Sequence, residues 1–513
     1  MEYQKGESRT QLTLYTTCLD DMIAQNNTVR NIDRFVDQLD MLALGFKKLP
    51  NQGRPPYHPA DLLKLYIYGY LNRTRSSRQL ELECNRNTEL IWLLGNLKPD
   101  HNTIARFRKD NPKAIKRVFR QTVAIATNHE LIGAKLIAGD STKIRAQNSK
   151  KNNYNLKKVA RHLEYIDKKQ EEYSSQLDLA DGIQQKESIQ RDIQKQKSRK
   201  ENYQKIKIAL EADTTTENPQ LSTSDPDSRH QITRGNITEV CYTAQTTVDA
   251  QNKLIIDYKI TNQNDKKAMG MMLRRAKTIL QSNDFIALYD KGYHTGSEFK
   301  TASDLNIETL VAIPAIGRKS QAPDPAYNVE HFEYNSEKDH YICPQNHTLK
   351  SNGSWYKARN YKFKQYKTKA CKNCPVRQLC TTAKNGKIIQ RSEFKKYIEN
   401  NARAVQKNPL LYKKRQAIVE HPYGTIKRQW GYNYIITKKG IPSASADFGL
   451  MAIAYNIKRM FNLGWHTANK LKNVFKSIFN TKKPLRTDKN NMNGYIGQKL
   501  KIEPEFKFIP RAA

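Results

Sequence analysis

Leu136-Ile-Ala-Gly-Asp-Ser-Thr-Lys-Ile144 and Phe285-Ile-Ala-Leu-Tyr-Asp-Lys-Gly-Tyr293 each hold a short apolar run that stops at an aspartate, Asp140 and Asp290. Runs of this length bounded by polar residues read as buried strands, with the acids at their carboxyl ends. A third acid, Glu420, lies in the helix-like stretch Arg415-Gln-Ala-Ile-Val-Glu-His-Pro-Tyr-Gly-Thr-Ile-Lys427. Carboxylates that meet in space hold hard divalent cations. The chain around them is basic, with 88 Lys and Arg against 50 Asp and Glu and a net charge of +38 over 513 residues. That charge favours a polyanionic partner, because phosphate neutralisation releases counterions. An acidic centre in a basic surround implies metal-dependent chemistry on nucleic acid.

Working outward, residues 1–130 read as helical around Asp61-Leu-Leu-Lys-Leu-Tyr-Ile-Tyr-Gly-Tyr-Leu71. Pro99-Asp-His-Asn-Thr-Ile-Ala-Arg-Phe-Arg-Lys109 reads as a turn and a helix, capped by Asn102 or Thr103 and made basic by Arg106, Arg108 and Lys109. The strand carrying Asp140 follows. Residues 151–224 are polar, yet Leu156, Val159, Leu163, Ile166, Tyr173 and Leu177 keep a helical spacing. Ile189, Ile193, Tyr203, Ile206 and Leu210 do the same after Asp181-Gly182, so an antiparallel helical hairpin is expected. Val240–Val248 and Leu254–Ile260 read as a strand hairpin, a helix leads into the strand ending at Asp290, and Glu308–Ile313 adds another strand. Pro409 to about Arg428 and Ala444–Asn462 return to helix, and Pro422, two residues past Glu420, is expected to kink the first of these. The expected organisation is a mixed α/β core (131–150, 225–330 and 395–465), a helical N-terminal domain, the hairpin insertion, a Cys-rich β insertion (331–394) and a basic tail (466–513).

Four of the seven cysteines cluster: Cys343, Cys371, Cys374 and Cys380. The Cys371-Lys-Asn-Cys374 spacing fits a structural zinc site, with His347 as an alternative ligand to Cys343 or Cys380. Cys18, Cys84 and Cys241 are expected in the core. In Trp355-Tyr-Lys-Ala-Arg-Asn-Tyr-Lys-Phe-Lys-Gln-Tyr-Lys367, strand alternation puts Tyr361 and Phe363 on one side, expected to pack, and Lys362 and Lys364 on the other. The longest apolar run, Phe448–Tyr455, is too short to span a bilayer, and the first residues lack signal-peptide form. A cytoplasmic, nucleoid-associated protein is expected.

The ordered set Gly139-Asp-Ser-Thr-Lys143, Tyr242-Thr-Ala-Gln245 with Val248-Asp249, Asp290-Lys-Gly-Tyr293, and Tyr412, Arg415, Glu420 and Lys427 resembles bacterial insertion-sequence transposases of the DDE class. Asp100-His-Asn-Thr-Ile-Ala-Arg-Phe-Arg108 is similar to their N-terminal domain, and the resemblance spans about residues 30–465. It implies an RNase H-like catalytic core in which Asp140, Asp290 and Glu420 hold two Mg²⁺ ions, Mn²⁺ being a substitute. It also implies that Tyr412, Arg415 and Lys427 contact DNA at the scissile bond, and that Thr103, Arg106 and Arg108 contact it through the N-terminal domain. The activity implied is hydrolysis at the element's ends and joining of the 3′-hydroxyls to target DNA, by a homo-oligomer (a dimer) on double-stranded DNA. A metal-dependent nuclease without strand transfer and a catalytically silent DNA-binding protein are the competing readings. Asp249 and Asp257, also in expected strands, should tolerate replacement better than the triad.

Overall fold

The computed structural model describes residues 18–46, 55–213, 218–234, 237–315, 317, 320–437 and 440–465. The basic tail expected over 466–513 lies outside the described residues.

Five strands build the central sheet: β1 (Leu136–Arg145), β2 (Ile237–Asp249), β3 (Ile255–Thr261), β4 (Ile286–Tyr289) and β5 (Glu308–Val311). Their spatial order is β3-β2-β1-β4-β5. Strand β2 is antiparallel to both β3 and β1, whereas β4 and β5 run parallel to β1. This is the RNase H-like arrangement. A further strand, Arg229–Arg234, pairs with the first part of β2 beyond the end of β3. The tight turn after Asp249 makes β2 and β3 a hairpin, as the two apolar runs lead one to expect.

Strand alternation assigns the two faces. Ile137, Ala287, Tyr289 and Val311 point into the main core, and Ala138, Val248, Leu288 and Leu310 point to the opposite side. Among the helices, α1 is Pro59–Leu71, α2 is His101–Asp110 and α3 is Pro112–Asn128. The hairpin helices are α4 (Leu156–Asp178) and α5 (Ile183–Ala212), and the last three are α6 (Lys395–Lys407), α7 (Pro409–Tyr423) and α8 (Ile441–Asn462). In α8, Phe448, Leu450 to Ala454 and Ile457 are all buried. Every residue from Ala446 to Ile457 is buried, because the helix lies between the sheet and the N-terminal helices. It packs against α1 and α3, and one continuous core joins all of them. The opposite face is covered by α7 through Ile418 and Val419.

Helix α1 starts at a proline in its first turn, with His58 Nδ1 accepting from the Ala60 N–H. Asp100, rather than Asn102 or Thr103, caps α2: its Oδ1 accepts from the Asn102 and Thr103 N–H groups at 2.9 and 3.0 Å. The earlier carboxylate wins because it also accepts from Thr103 Oγ1, at 2.6 Å. Between α4 and α5 the chain turns at residues 179–182, and the two helices pack along one another. The apolar stripe is only partly covered: Val159, Ile166 and Leu210 are buried and Leu156 is exposed. At the root, His162 stacks on Tyr203 with ring centroids 4.8 Å apart, and Asn153–Tyr154 pairs with Leu221–Ser222.

The Cys-rich segment is a second sheet with its own core of Phe332, Tyr341, Leu349, Tyr366 and Ile389. Its packed face is that of Lys364 and Tyr366, not that of Tyr361 and Phe363 as expected from alternation alone. Asp339 makes this possible by pairing with Lys364 Nζ at 2.7 Å and accepting from the Tyr366 hydroxyl at 2.5 Å. Cys84 and Cys241 are buried as expected, and Cys18 is exposed. No described helix is long and apolar enough to cross a membrane.

Candidate active site

Glycine at position 139 lets β1 pass under the Tyr289 ring of β4, since a Cβ there would stand 2.0 Å from the ring. The next residue, Asp140, projects to the α7 side of the sheet and keeps 23% side-chain exposure. Its Oδ1 accepts from the Ser141 N–H at 2.7 Å, and its Oδ2 from Arg415 Nη1 at 3.2 Å. Burial pushes Asp140 up to about 6, and the nearby Asp290 adds to the rise; the Ser141 N–H and Arg415 pull the other way. Asp290 stands directly after β4, the parallel neighbour of β1. There it caps a single helical turn, with Oδ1 accepting from the Gly292 N–H at 2.8 Å. The two aspartates predicted from apolar runs are thus side by side.

Around them is a polar network that the apolar-run reading missed. Tyr423 donates to the Asp140 carbonyl at 3.1 Å and shares a 2.6 Å hydrogen bond with Thr246 on β2. Tyr293 donates to Gln245 Oε1 at 2.5 Å, and Gln245 Nε2 donates to Asp265 at 2.6 Å. Burial, and then the carboxylates of Asp265 and Asp140, hold the Tyr293 hydroxyl well above its ordinary range, so it stays a neutral donor. Burial does the same for Tyr423, with Asp140 next in weight. The available signal was Gln245-Thr246-Thr247 in the middle of a strand otherwise read as buried, since buried polar residues need partners.

Helix α7 presents its residues in steps of three and four. Tyr412 donates to the Tyr289 carbonyl at 3.2 Å, Arg415 reaches Asp140, and Val419 packs on the sheet. Beyond α7 the helix does not stop at Pro422; it widens into a π-helical turn, Gly424–Gln429. Pro422 has no N–H to give, and a wider turn rehouses the carbonyls it leaves. Lys427 Nζ then donates to Thr142 Oγ1 and to the Lys143 carbonyl, both at 3.0 Å. Arg415 and Lys427, expected on DNA phosphates, are therefore engaged with β1.

Glu420 is not brought to the aspartates. Five residues past Arg415, it sits about 140° further round a regular helix, is exposed, and accepts from Gln416 Nε2 at 2.8 Å. Among the described residues, no three His, Cys, Asp or Glu side chains are gathered as a metal ion would need. Two hard oxygen donors converge at Asp140 and Asp290, and Arg415 supplies the positive charge there.

The other expected residues separate clearly. Arg106 is exposed on α2 and Thr103 is half-buried on its cap. Arg108 is inside: 6% exposed, it donates to the Tyr70 hydroxyl at 2.9 Å and lies 3.7 Å from the buried Asp447. It joins α2 to α1 and α8, so the expectation of a DNA contact is corrected to a core ion pair. Asp257 is corrected as well. It is fully buried and pairs with Lys116, Arg120 and Arg275 at 3.2, 3.0 and 2.5 Å. Burial opposes its ionisation, but the three cations together hold it below the carboxylate range. Asp249, 1% exposed, accepts from the Ala134 and Gln251 N–H groups. Both are buried and bonded, so replacing either is expected to cost stability.

Cys343, Cys371, Cys374, Cys380 and His347 line one small cavity of about 30 Å³. The Cys343 sulfur accepts from the His347 backbone N–H at 3.3 Å. Burial raises the Cys380 thiol, and the three other sulfurs add to the rise.

Residues 17–110 match the family described as Transposase domain (DUF772), and residues 342–461 match that described as Transposase DDE domain. No curated protein matches the chain. Two solved structures match: a pre-cleavage Mos1 transpososome at 11% identity, and a Mos1 transposase paired-end complex with left transposon end at 12%. Each match covers 51% of this chain and 61% of that chain, with a TM-score of 0.15. The chain thus spans about three fifths of those Mos1 chains.

Proposed function

We propose, because residues 17–110 match a transposase domain and residues 342–461 a transposase DDE domain, that this chain is a DDE-class transposase that binds the ends of an insertion sequence, cleaves them by Mg²⁺-dependent hydrolysis and joins the 3′-hydroxyls to target DNA. One observation carries the reading. Asp140 and Asp290 stand side by side on neighbouring parallel strands of an RNase H-like sheet, in a chain of net charge +38.

The donor set supports divalent metal: both acids are oxygen ligands, and the Asp140 carboxylate is held in a site that penalises its own charge. Two such ions, when bound, activate an attacking oxygen and stabilise the leaving one. The chain's own residues orient the acids. The Ser141 and Gly292 N–H groups fix one oxygen of each, and Tyr423 and Tyr293 hold the strand beneath them. Arg415, now on Asp140, and Lys427, now on Thr142, are the cations poised to take scissile-strand phosphates, with Tyr412 beside them. Glu420 is the third acid of the proposal. Its place on the flank of α7 requires the helix to turn or to unwind beside Pro422 before it joins the aspartates. Arg106 on α2 supplies a duplex contact, and the working species on DNA is a dimer. The four clustered cysteines are proposed to hold one structural zinc ion.

The test is to incubate purified protein with the DNA flanking its gene and Mg²⁺, and to map the 3′ ends. Cleavage and joining by the wild type, abolished in Asp290→Asn and Glu420→Gln, are expected. Cleavage without joining points to a nuclease, and end binding without cleavage to a silent DNA-binding protein. Full activity of Glu420→Gln would remove that residue from the site.

A further inference from the structure

Between Asp339 and Glu393 the chain has 12 Lys and Arg and no Asp or Glu. This run builds most of the Cys-rich sheet, and the two faces of that sheet differ sharply. Leu349, Tyr366 and Ile389 fill the inner face. Strand pairing sets the outer one: Tyr356 lies beside Phe363, Ser392 on the other side of Phe363, Gln390 beside Gln365, and Lys350 beside Lys367. Tyr356 and Phe363 are near-parallel with centroids 5.7 Å apart, and Tyr361 touches Phe363 at 6.2 Å. Tyr356 and Tyr361 are 38% and 42% exposed. A row of contiguous rings is therefore left in water at the hairpin end of the sheet, where Lys357 and Lys362 on the opposite face are exposed as well.

We propose that this outer face is a binding platform for single-stranded DNA. Ring faces stack on bases whatever the base, amides reach base edges, and lysines reach phosphates; the sheet carries all three groups in neighbouring rows. Charge favours a polyanion: Lys350 and Lys367 stand together on the outer face, while the acids bordering the run, Asp339 and Glu393, are engaged by Lys364 and the Lys362 N–H. The ring spacing selects an unpaired strand. Successive bases in a duplex rise by about 3.4 Å, so bases must unstack to sit on rings 5.7 and 6.2 Å apart. Duplex DNA hides its base faces and could use only the lysines. The proposal does not depend on which acids hold metal.

The test uses the full chain and a fluorescein-labelled oligothymidine about 12 nucleotides long, within the span such sheets bind, read by anisotropy. Replacing Tyr356 and Tyr361 together by Ala is expected to weaken oligothymidine binding by about tenfold or more and to leave binding of a duplex of equal length unchanged. The paired Phe variant keeps both rings and should bind as the wild type does. Lys350→Gln/Lys367→Gln should flatten the salt dependence of the same binding. Unchanged oligothymidine affinity in the Ala variant overturns the proposal, as does an equal loss on duplex or an equal loss in the Phe variant. A fall in protomer number by light scattering in the Ala variant would assign the face to a second copy of the chain and also overturn it.

Discussion

Asp140 is a carboxylate that the fold holds at about 6, so its charge costs stability at neutral pH. Because that value lies above the unfolded one, Asp140 contributes stability below about pH 4, and this contribution is lost as pH rises through about 6. Asp140→Asn removes the charge and should raise the melting temperature at about pH 8, by the equivalent of about 1–3 kcal/mol. The gap should close towards pH 4, and a gap independent of pH would show that the Arg415 pair fully offsets burial. Asp257 is the opposite case. Its three cations are left without a counter-charge in Asp257→Asn, which should lower the urea-derived stability by about 3 kcal/mol or more without touching the site. Both aspartates interrupt or border apolar runs, and the pattern alone located Asp140 and Asp290 and misjudged Asp257. An acid's partners come from other elements: Lys116 and Arg120 sit on α3 and Arg275 on the helix Met269–Leu280. No local spacing encodes that meeting.

At the scale of elements, the strands and helices were legible because each keeps its period, and the hairpin because two stripes flank Asp181-Gly182. What the periodicity left open was rotation about an axis. The stretch Pro409–Lys427 reads as one helix, but whether Arg415 or Glu420 meets β1 depends on the register of α7 over Ala138 and Leu288. Ile418 and Val419 set that register by burial, and they carry Arg415 inward and Glu420 to the flank. The Cys-rich sheet shows the same limit, for alternation gave its two faces and Asp339 decided which one packs. Its small core makes the proposed zinc consequential. One equivalent of zinc per chain is expected by metal analysis. Cys371→Ser/Cys374→Ser should lose it, with protease cleavage appearing within 331–394 while the rest of the chain stays resistant. Full zinc content in that double variant would send the ligand search to other residues.

For the whole molecule, the N-terminal helices read from the sequence as a separable domain, whereas the structure gives them no core of their own. Their apolar faces close on α8, and the seam is sealed by Tyr70, Arg75 and Arg108 around the buried Asp447. Composition could not reveal this, since contacts between residue 70 and residue 447 leave no trace in either segment. A fragment ending at Asn128 should therefore lack a cooperative thermal transition, and adding a synthetic peptide of residues 441–465 should restore one. A sharp transition in the fragment alone would overturn this reading of the seam. The shared core also sets when the chain can finish folding. Synthesis runs from the amino end, so the first helices wait on the ribosome until α8, more than three hundred residues later, emerges to cover them. A chain cut short upstream of α8 lacks the helix that closes its amino-terminal core. Such a chain is expected to be cleared by proteolysis faster than the full-length one, which pulse-chase of a product ending before Ile441 would show.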